Sequence, residues 1–255
     1  MENFTDPIKI GFGQYLHRFH QSLVAATPAL SEFVARPFSK AAVWAPGRMI
    51  DQVEDMLGSW RKNDNGDDPQ PRPYLPVMIA AMSKDYMPAP PEFSRVVPDD
   101  TYITLPDDLK GRVFKMRMVV ADVRTQVTII AQEEATARAI ALQLDLFCKS
   151  TENRRFYAPF TLAGMKEGWP VSLEMPELQA IANPQPDTKN MTILTVDIQM
   201  RATVPLLRSP GPGEPHDGKG AGTPQDPHGY PVVLKVDGTN GPSPTYTHKE
   251  KWHQG

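Results

Sequence analysis

The clearest pattern of hydrophobic and polar positions lies in residues 191–204, MTILTVDIQMRATV. Apolar residues occupy every second position, and the positions between them are mostly polar. Successive side chains of a β-strand point to opposite faces of a sheet, so this period of two predicts a half-buried strand of roughly ten residues. Its apolar face is Leu194, Val196, Ile198, Met200 and Ala202, and the alternating residues are Ile193, Thr195, Asp197, Gln199 and Arg201.

Other strands are predicted where β-branched and apolar residues cluster between turn signals. Such runs cover residues 74–87, 113–123 and 126–132, with a short strand in TYITL at 101–105. One or two further short strands are predicted within 156–178, because Gly164, Gly168 and Pro170 indicate turns there.

Three stretches repeat their apolar residues at the spacing of an amphipathic helix. The predicted stripes are Leu16, Phe19, Leu23 and Val24 in residues 12–26; Met49, Val53, Met56 and Trp60 in 48–62; and Ala135, Ala139, Leu142 and Leu146 in 133–150. The third helix follows directly on a predicted strand, and Glu133 and Glu134 favour its N-terminus. A strand that leads into an amphipathic helix predicts a helix packed on the sheet.

Proline and glycine mark two segments that differ from the rest. Residues 62–106 form a Pro-rich, largely irregular insert, with Pro88, Pro90, Pro91, Pro98 and Pro106 in its second half. The last 47 residues, 209–255, hold 9 of the 17 glycines and few core-forming residues beyond PVVLKV at 231–236. Because such a segment cannot bury enough apolar surface to offset its ordering entropy, we predict an extended C-terminal arm.

Together these elements predict an α/β (α+β) fold. A single domain over residues 1–208 would carry a small mixed or antiparallel sheet flanked by helices, followed by the Pro/Gly-rich tail at 209–255. With 255 residues, 40% of them hydrophobic, the chain is long enough to bury a substantial core.

Charge and targeting signals narrow the classes of partner. The net charge is −3, so no overall basic field attracts nucleic acid. No apolar run reaches the ~18 residues needed to span a bilayer, and we predict no membrane partner. The N-terminal residues MENFTDPIKIGFG lack the basic region and apolar stretch of a signal peptide, which favours synthesis in the cytoplasm.

Catalytic motifs are missing from the sequence. It contains no P-loop, no G-x-S-x-G elbow and no H-E-x-x-H. GFG at 11–13 follows no strand and predicts a turn or helix start. The acidic loop at 62–73 does not match an EF-hand, since Leu75 stands where the final Glu is needed. Cys148, the single cysteine, lies on an apolar helix and is predicted to be a buried, unreactive thiol.

The histidines do not form a metal site by their spacing. His17 and His20 are three residues apart on the first helix without a paired carboxylate, so we predict surface or interface imidazoles. The remaining four are scattered through the tail and are predicted to be solvated: His216, His228, His248 and His253. We therefore predict no catalytic, cofactor-binding or metal-binding residues, and a chain that is not an enzyme.

Arg154 and Arg155 form the only dense basic pair, followed by Phe156 and Tyr157. Arginine and aromatic side chains can stack on bases, but without a wider basic patch the pair is more typical of a surface loop or a protein interface. The tryptophans are too dispersed for a stacking platform: Trp44, Trp60, Trp169 and Trp252. Trp169 is predicted to cover the end of the sheet.

The order of elements resembles the tail-terminator and neck (tail-completion, head–tail connector) proteins of tailed bacteriophages. The stretches that carry the resemblance are QVTIIAQEEATARAIALQLDLFCKS, GWPVSLEMPEL and MTILTVDIQMRATVPLL, within about 110–207. In that family a strand–helix–strand order builds an α/β subunit whose strands and loops contact neighbours in a hexameric ring. The insert at 62–106 and the tail depart from the pattern, which leaves terminator, collar and connector open.

The resemblance implies a structural subunit of a virion, assembled in the host cytoplasm into a hexameric or dodecameric ring. Its partners would be other tail and neck proteins, with DNA passing through the lumen. The tail would become ordered against a neighbour, and PVVLKV could add to an exposed sheet edge. Two alternatives stay open: another virion assembly protein such as a baseplate component, and a small-molecule-binding α/β domain or enzyme.

Overall fold

Helices and strands both contribute substantially to the computed structural model, which describes residues 5–45, 75–83, 87–88, 100–174, 180–182 and 191–232. The helices within these residues are α1 (Thr5–Ser22), α2 (Pro28–Ala35), α3 (Phe38–Ala41) and α4 (Glu134–Lys149), with a 3-10 turn at Thr151–Asn153. The strands are β1 (Ala42–Trp44), β2 (Val77–Met82), β3 (Met87–Pro88), β4 (Thr101–Thr104), β5 (Val113–Ala131), β6 (Arg155–Leu162), β7 (Met165–Leu173), β8 (Ala180–Ala182) and β9 (Thr192–Arg208). The α+β class predicted from the sequence is confirmed.

Two long antiparallel strands, β5 and β9, form the centre of the sheet. They pair without an offset from Lys115 opposite Arg208 to Ala131 opposite Thr192. The strands β2, β3 and β4 pair with successive parts of the other edge of β5, and β7 and β8 pair with the other edge of β9. The parallel β1–β2 pair and the β6–β7 hairpin complete a mixed sheet, which is larger than the small sheet predicted.

β5 joins two strands that the sequence predicts separately, over 113–123 and 126–132. It runs unbroken through 19 residues. Arg124 and Thr125, which lie between the two predicted strands, include neither Gly nor Pro, so nothing prevents the extended backbone from continuing. The strand predicted at 191–204 is confirmed and extends to Arg208. The strands predicted in 74–87 and 101–105 are confirmed as β2 and β4.

One face of the sheet packs against the helices around an apolar core. The predicted apolar face of β9, from Leu194 to Ala202, is buried there, with no member more than 7% exposed. α4 adds Ile140 and Leu144, both fully buried. The expected packing of this helix on the sheet is therefore confirmed.

The apolar stripe predicted for α4 is wrong, because most of it faces away from the sheet. Of its residues, Ala135 is exposed, Leu142 and Leu146 are 61% and 59% exposed, and only Ala139 is partly buried against the core. The helix carries a second apolar stripe, which includes Ile140 and Leu144 and faces the sheet, and the hydroxyl of Thr136 is buried on the same side. This oxygen lies 2.8 Å from Thr27 Oγ1 and 3.2 Å from the Glu133 carboxylate, so the side of the helix that bears it faces inward.

The other face of the sheet is apolar at one end and polar further along. Its apolar cluster, among the described residues, is Ala45, Val77, Ile79, Ala81, Ile130 and Ile193. Asp122, Arg201 and Ser172 follow in register across β5, β9 and β7. They alternate with core residues and so point away from the helices. We call this side the polar face.

The β6–β7 hairpin confirms only one of the three turn signals predicted within 156–178. Gly164 lies in the turn, with φ of 82° beside Ala163 with φ of 49°. Gly168 and Pro170 lie inside β7 instead. Only residues 171–173 of β7 pair with β9, so the missing N–H of Pro170 removes no bond to that strand.

The start of the predicted C-terminal arm is folded, because residues 209–232 return to the end of the sheet. The backbone N–H of Tyr230 donates to the carbonyl oxygen of Val113 at 2.7 Å. Arg112, whose side chain is 4% exposed, donates to Asp108 at 3.0 Å and to Asp226 and the Pro227 carbonyl oxygen at 2.7 Å each. Charged hydrogen bonds thus order a segment that apolar burial could not.

Several predictions fall outside the described residues. They are the helix at 48–62 with Trp60, the acidic loop at 62–73, most of PVVLKV, His248, Trp252 and His253.

The GFG segment lies in the interior of α1, so the predicted turn or helix start is wrong. The helix begins at Thr5, seven residues before the predicted start at 12, and it ends at Ser22. Of the predicted stripe, Leu16, Phe19 and Leu23 are buried, whereas Val24 follows the end of the helix and is 71% exposed.

Gly11 lies at a close approach between α1 and the sheet. A Cβ atom on Gly11 would lie 2.6 Å from the carbonyl oxygen of Tyr157 and 3.1 Å from the Cα of Ala158. A Cβ on Gly13 would meet only the Trp44 indole nitrogen, at an ordinary 3.6 Å. The glycine at 11 therefore lets the helix lie directly on the backbone of β6.

We predict that Gly11→Ala destabilises the protein by about 1–3 kcal/mol, because the added methyl group meets backbone atoms that cannot rotate away. The matched control is Gly13→Ala, which should stabilise the helix by roughly 0.5–1 kcal/mol. Urea unfolding of the three proteins checks both values. Equal effects of the two substitutions would contradict the close approach at Gly11.

Candidate functional site

An ion pair lies at the centre of the polar face, where three strands meet. Arg201 on β9 stands directly opposite Asp122 on β5 and Ser172 on β7. Its Nε donates to Asp122 Oδ1 at 2.9 Å and its Nη2 to Oδ2 at 3.4 Å. The two side chains are 10% and 5% exposed. Since the guanidinium fork matches a carboxylate in two-point contact, the geometry holds both groups in place.

A second carboxylate completes the surroundings of Arg201. Glu174, just after β7, has an oxygen 3.3 Å from Arg201 Nη1, and the Ser172 hydroxyl donates to its other oxygen at 3.0 Å. Two acids therefore surround one arginine, and the positive charge of Arg201 is already neutralised. This arginine positions its neighbours and is poorly suited to bind a further anion.

A groove of about 320 Å³ lies beside this ion pair. Its lining combines apolar walls with polar groups: Met118, Val120, Arg155, Pro170, Ser172, Arg201 and Thr203. The volume is at the lower end of small-ligand pockets, and it also suits a single side chain from another protein. The groove exists because β5, β9 and the β6–β7 hairpin expose this side of the sheet.

Arg155 supplies the available charge at the rim of the groove. It begins β6 and is exposed, and its side chain makes no ion pair or hydrogen bond with any residue that the structure describes. Tyr157 lies two positions along the same strand and is 64% exposed, with its ring atoms 3.7–3.8 Å from the position of a Cβ on Gly168. Phe156, between them, points the other way into the core and is 3% exposed.

This arrangement revises the prediction for the Arg154–Tyr157 segment. A surface loop was one expectation, but Arg155, Phe156 and Tyr157 belong to β6. The period of two in a strand separates the side chains, so Arg155 and Tyr157 form one patch without Phe156. We call Arg155 and Tyr157 together the rim patch. Arg154 precedes the strand and does not line the groove.

His20 is buried rather than a surface or interface imidazole. It is 4% exposed, between α1 and α2, and its Nε2 donates to the carbonyl oxygen of Phe33 at 3.0 Å. Burial lowers its pKa below the ordinary 6.5, against the raising effect of this hydrogen bond. His17 is exposed as predicted and stacks on Phe38, with ring centres 4.9 Å apart.

Cys148 is buried, as the sequence predicts. It is 6% exposed and accepts a hydrogen bond from the Tyr15 hydroxyl at 3.2 Å. Burial raises the pKa of the thiol to about 11, so it stays protonated at neutral pH. A protonated, covered thiol is a poor nucleophile, which agrees with the predicted unreactive role.

Two of the tail histidines, predicted to be scattered, come together in the folded loop. The rings of His216 and His228 stack at 4.2 Å between centres. Asp217 joins the loop ends by accepting from the backbone N–H of Gly229 at 3.0 Å. Within the described ranges, no three His, Cys, Asp or Glu side chains lie close enough to hold a metal ion.

Trp169 does not cover the end of the sheet. It lies within β7, opposite Ala158, and packs half-buried against the core. Among the described helices, none combines the length and the apolar character needed to cross a bilayer.

Sequence analysis missed the residues of the central ion pair. Asp122 interrupts an otherwise apolar run, VVADV, and this was the available signal. Its partner Arg201 was assigned correctly to the polar side of β9, but the pairing of the two depends on a register that the sequence does not show. Ser172 and Glu174 join them only through the hairpin.

We predict that stability decreases as the pH falls below about 6.5, because protonation of buried His20 favours the unfolded chain. The stabilisation from neutral His20 is fully present above the pKa that this histidine has in the unfolded chain. It is lost as the pH falls through the lower pKa of the folded protein. His20→Gln, which can still donate to Phe33, should flatten this dependence, whereas His17→Gln should retain it. Urea midpoints between pH 8 and pH 5 measure the slope, and an unchanged slope in His20→Gln would refute the assignment.

Asp122→Asn is expected to cost about 3 kcal/mol, because it leaves the buried guanidinium of Arg201 without its main carboxylate. The control is Arg124→Gln on the same strand, whose ion pair with Asp197 is 53% and 37% exposed. That change should cost no more than about 1 kcal/mol. Chemical unfolding gives the free energy of unfolding of both variants. Similar decreases would show that the central ion pair contributes no more to stability than an exposed one.

The polar face thus combines one neutralised arginine, one available arginine and an exposed tyrosine beside a groove. Comparison with known proteins gives no match, either to a protein-family model or to a curated protein. The geometry offers a contact surface for a carboxylate-bearing group with a small apolar part.

Proposed function

We propose that the chain is a structural subunit of a tailed-bacteriophage virion, which assembles into a ring at the junction of head and tail. Two lines of support lead to this proposal. The strand–helix–strand order within about 110–207 resembles the tail-terminator and neck proteins. The rim patch, Arg155 and Tyr157, supplies a surface of the kind that holds subunits together.

The rim patch is the observation that carries the proposal. Tyrosine and arginine, together with tryptophan, are enriched at the energetic centres of protein interfaces. Tyr157 is 64% exposed, and the side chain of Arg155 has no bonding partner within the described residues. A neighbour that inserts an acidic or small apolar side chain into the 320 Å³ groove would bury the tyrosine and pair the arginine.

A ring follows when this patch contacts a different surface of the next subunit. Such a head-to-tail contact repeats around an axis and closes when the rotation between neighbours divides a full circle. Six or twelve subunits are the states that the resemblance implies. DNA would pass through the lumen, where a chain with a net charge of −3 offers little overall attraction to phosphate.

We expect light scattering after gel filtration to give a native mass of six or twelve subunits at high protein concentration. Arg155→Glu combined with Tyr157→Ala should reduce that mass, because it reverses the charge of the patch and removes its ring. Arg154→Glu is the matched control, since it makes the same change of charge one residue away, outside the groove. Particle imaging of the wild-type fraction should show rings with an open centre.

A wild-type mass that never exceeds two subunits would contradict the ring. So would a rim variant that assembles as well as the wild type. Circular dichroism and thermal unfolding of each variant establish that a loss of mass is not a loss of fold.

The groove itself favours one second candidate, a domain that binds a small carboxylate. Arg155 would pair the carboxylate, and Met118 and Val120 would contact the apolar part. A thermal shift with a panel of small carboxylic acids separates the candidates. Stabilisation that Arg155→Ala abolishes and Arg154→Ala retains, in a protein that does not form rings, would support binding over assembly.

A further inference from the structure

We propose that the outer side of α4 binds the same side of a second copy of this chain, antiparallel, about a two-fold axis. The surface consists of Ala135, Ala139, Leu142 and Leu146, which we call the outer stripe. It lies away from the rim patch, so the inference does not depend on the proposed ring.

The outer stripe leaves apolar side chains in water on a helix that is otherwise well packed. Leu142 and Leu146 are 61% and 59% exposed. Val24 lies beside them and is 71% exposed. Two hydrogen bonds hold it there: its N–H donates to Gln143 Oε1 at 2.8 Å, and Gln143 Nε2 donates to its carbonyl oxygen at 3.1 Å. Val24 is thereby held next to Gln143, which follows Leu142 along the helix.

The spacing of the stripe matches the seam of a two-helix contact. Its residues follow one another at intervals of four, three and four, which are the alternating core positions of a heptad repeat. The fully buried residues of the helix occupy the opposite side, although Ala139 of the stripe also contacts the core. One helix therefore carries two seams, of which only the inner one is filled by the described part of the chain.

Side-chain size favours an antiparallel pair. The stripe has its alanines near the N-terminal end of α4 and its leucines near the C-terminal end. When two copies run antiparallel, Leu142 meets Ala139 of the second copy and Leu146 meets Ala135. Each layer then joins a large and a small residue, and the helices can approach to the usual 8–10 Å along their length. A parallel pair would instead crowd leucines at one end and leave a gap at the other.

Charges along the stripe favour the same orientation. Arg138 and Asp145 flank one side of the seam, one near each end. Arg138 is paired with Glu134 of its own helix and is 73% exposed, and Asp145 is bonded to Lys149 at 2.7 Å. In the antiparallel pair Arg138 of each copy lies next to Asp145 of the other, which forms two equivalent ion pairs. In a parallel pair these positions of the two copies would lie on opposite sides of the seam, and the opposite charges would not meet.

The contact is small, so we expect a dimer that dissociates on dilution. Four stripe residues and Val24 per copy fall below the area of a standard stable interface. If the ring also forms, this two-fold contact on a separate surface would join two hexamers into a dodecamer.

The first experiment measures the mass by sedimentation equilibrium over a concentration series of the full chain. Leu142→Glu and Leu146→Glu should each weaken the dimer by roughly tenfold or more, because each puts a carboxylate into the seam. Leu109→Glu is the control, since Leu109 is 103% exposed and precedes the start of β5, whereas α4 follows the other end of that strand. Thermal unfolding should show that all three variants keep the fold.

The second experiment tests the orientation by reversing charges. Arg138→Glu alone places two acids together in each contact, and Asp145→Arg alone places two cations together, so each homodimer should weaken several-fold. An equimolar mixture of the two variants restores opposite charges at both contacts. The mixture should therefore dimerise more tightly than either variant alone.

Either of two results would overturn the inference. One is a wild-type mass that does not change with concentration and is unaffected by both leucine variants. The other is a dimer that Leu142→Glu and Leu146→Glu leave intact. The failure of the ring is distinguishable, because a wild-type dimer that these variants dissociate, without larger species, supports the two-fold contact and contradicts the ring. A monomer that associates through Leu142 with lipid vesicles would show a different use of the stripe and would refute this one.

Discussion

The continuous pairing of β5 with β9 is the constraint on which the rest of the structure depends. Because the side-chain period of a strand is two, a slip of one residue between them would place the polar row of one strand on the same face as the apolar row of the other. Asp122 would then lose Arg201, and two buried charges would be left without each other. The ion pair and the apolar row therefore specify the same register from opposite sides of the sheet. Both the rim patch and α4 take their positions from that register.

A second set of charged residues, Asp108, Arg112 and Asp226, lies at the end of the sheet where β5 begins. Burial alone would raise the pKa of Asp108, but hydrogen bonds from Arg112 outweigh it and lower that pKa. The Asp108 bond in turn raises the pKa of Arg112. Both groups remain charged at neutral pH, and Asp226 ties the returning loop to them. A segment with few apolar residues is thereby part of the fold, which composition alone could not indicate.

The local pattern of the sequence predicted the helices and strands better than it predicted which residues they contact. The alternation at 191–204 gave the strand and its buried face, since one face of that strand is apolar throughout. Periodicity predicted the helix at 133–150 but not its inner side, because apolar residues lie on both sides of this helix. Gly168 and Pro170 indicate turns by residue type, yet both fit in β7, where they pair with β6 and have no partner on the β9 side among the described residues. The contact of Asp122 with Arg201, and the folding of 209–232, depend on residues far apart in sequence, for which a single sequence carries no signal.

The pairing of β5 with β9 also has a consequence for how the protein is made. The whole of α4 and the β6–β7 hairpin lie between these strands in the chain, so β5 leaves the ribosome well before its partner exists. Because synthesis proceeds at about 5–20 residues per second, the apolar row of β5 remains without its partner strand for several seconds. During that time α1 and the emerging α4 can shield one side, but the edge that β9 will occupy stays unpaired. Newly made chains crowded on one messenger RNA would be most prone to associate wrongly through that edge, and binding by a chaperone at this stage would raise the yield of folded protein.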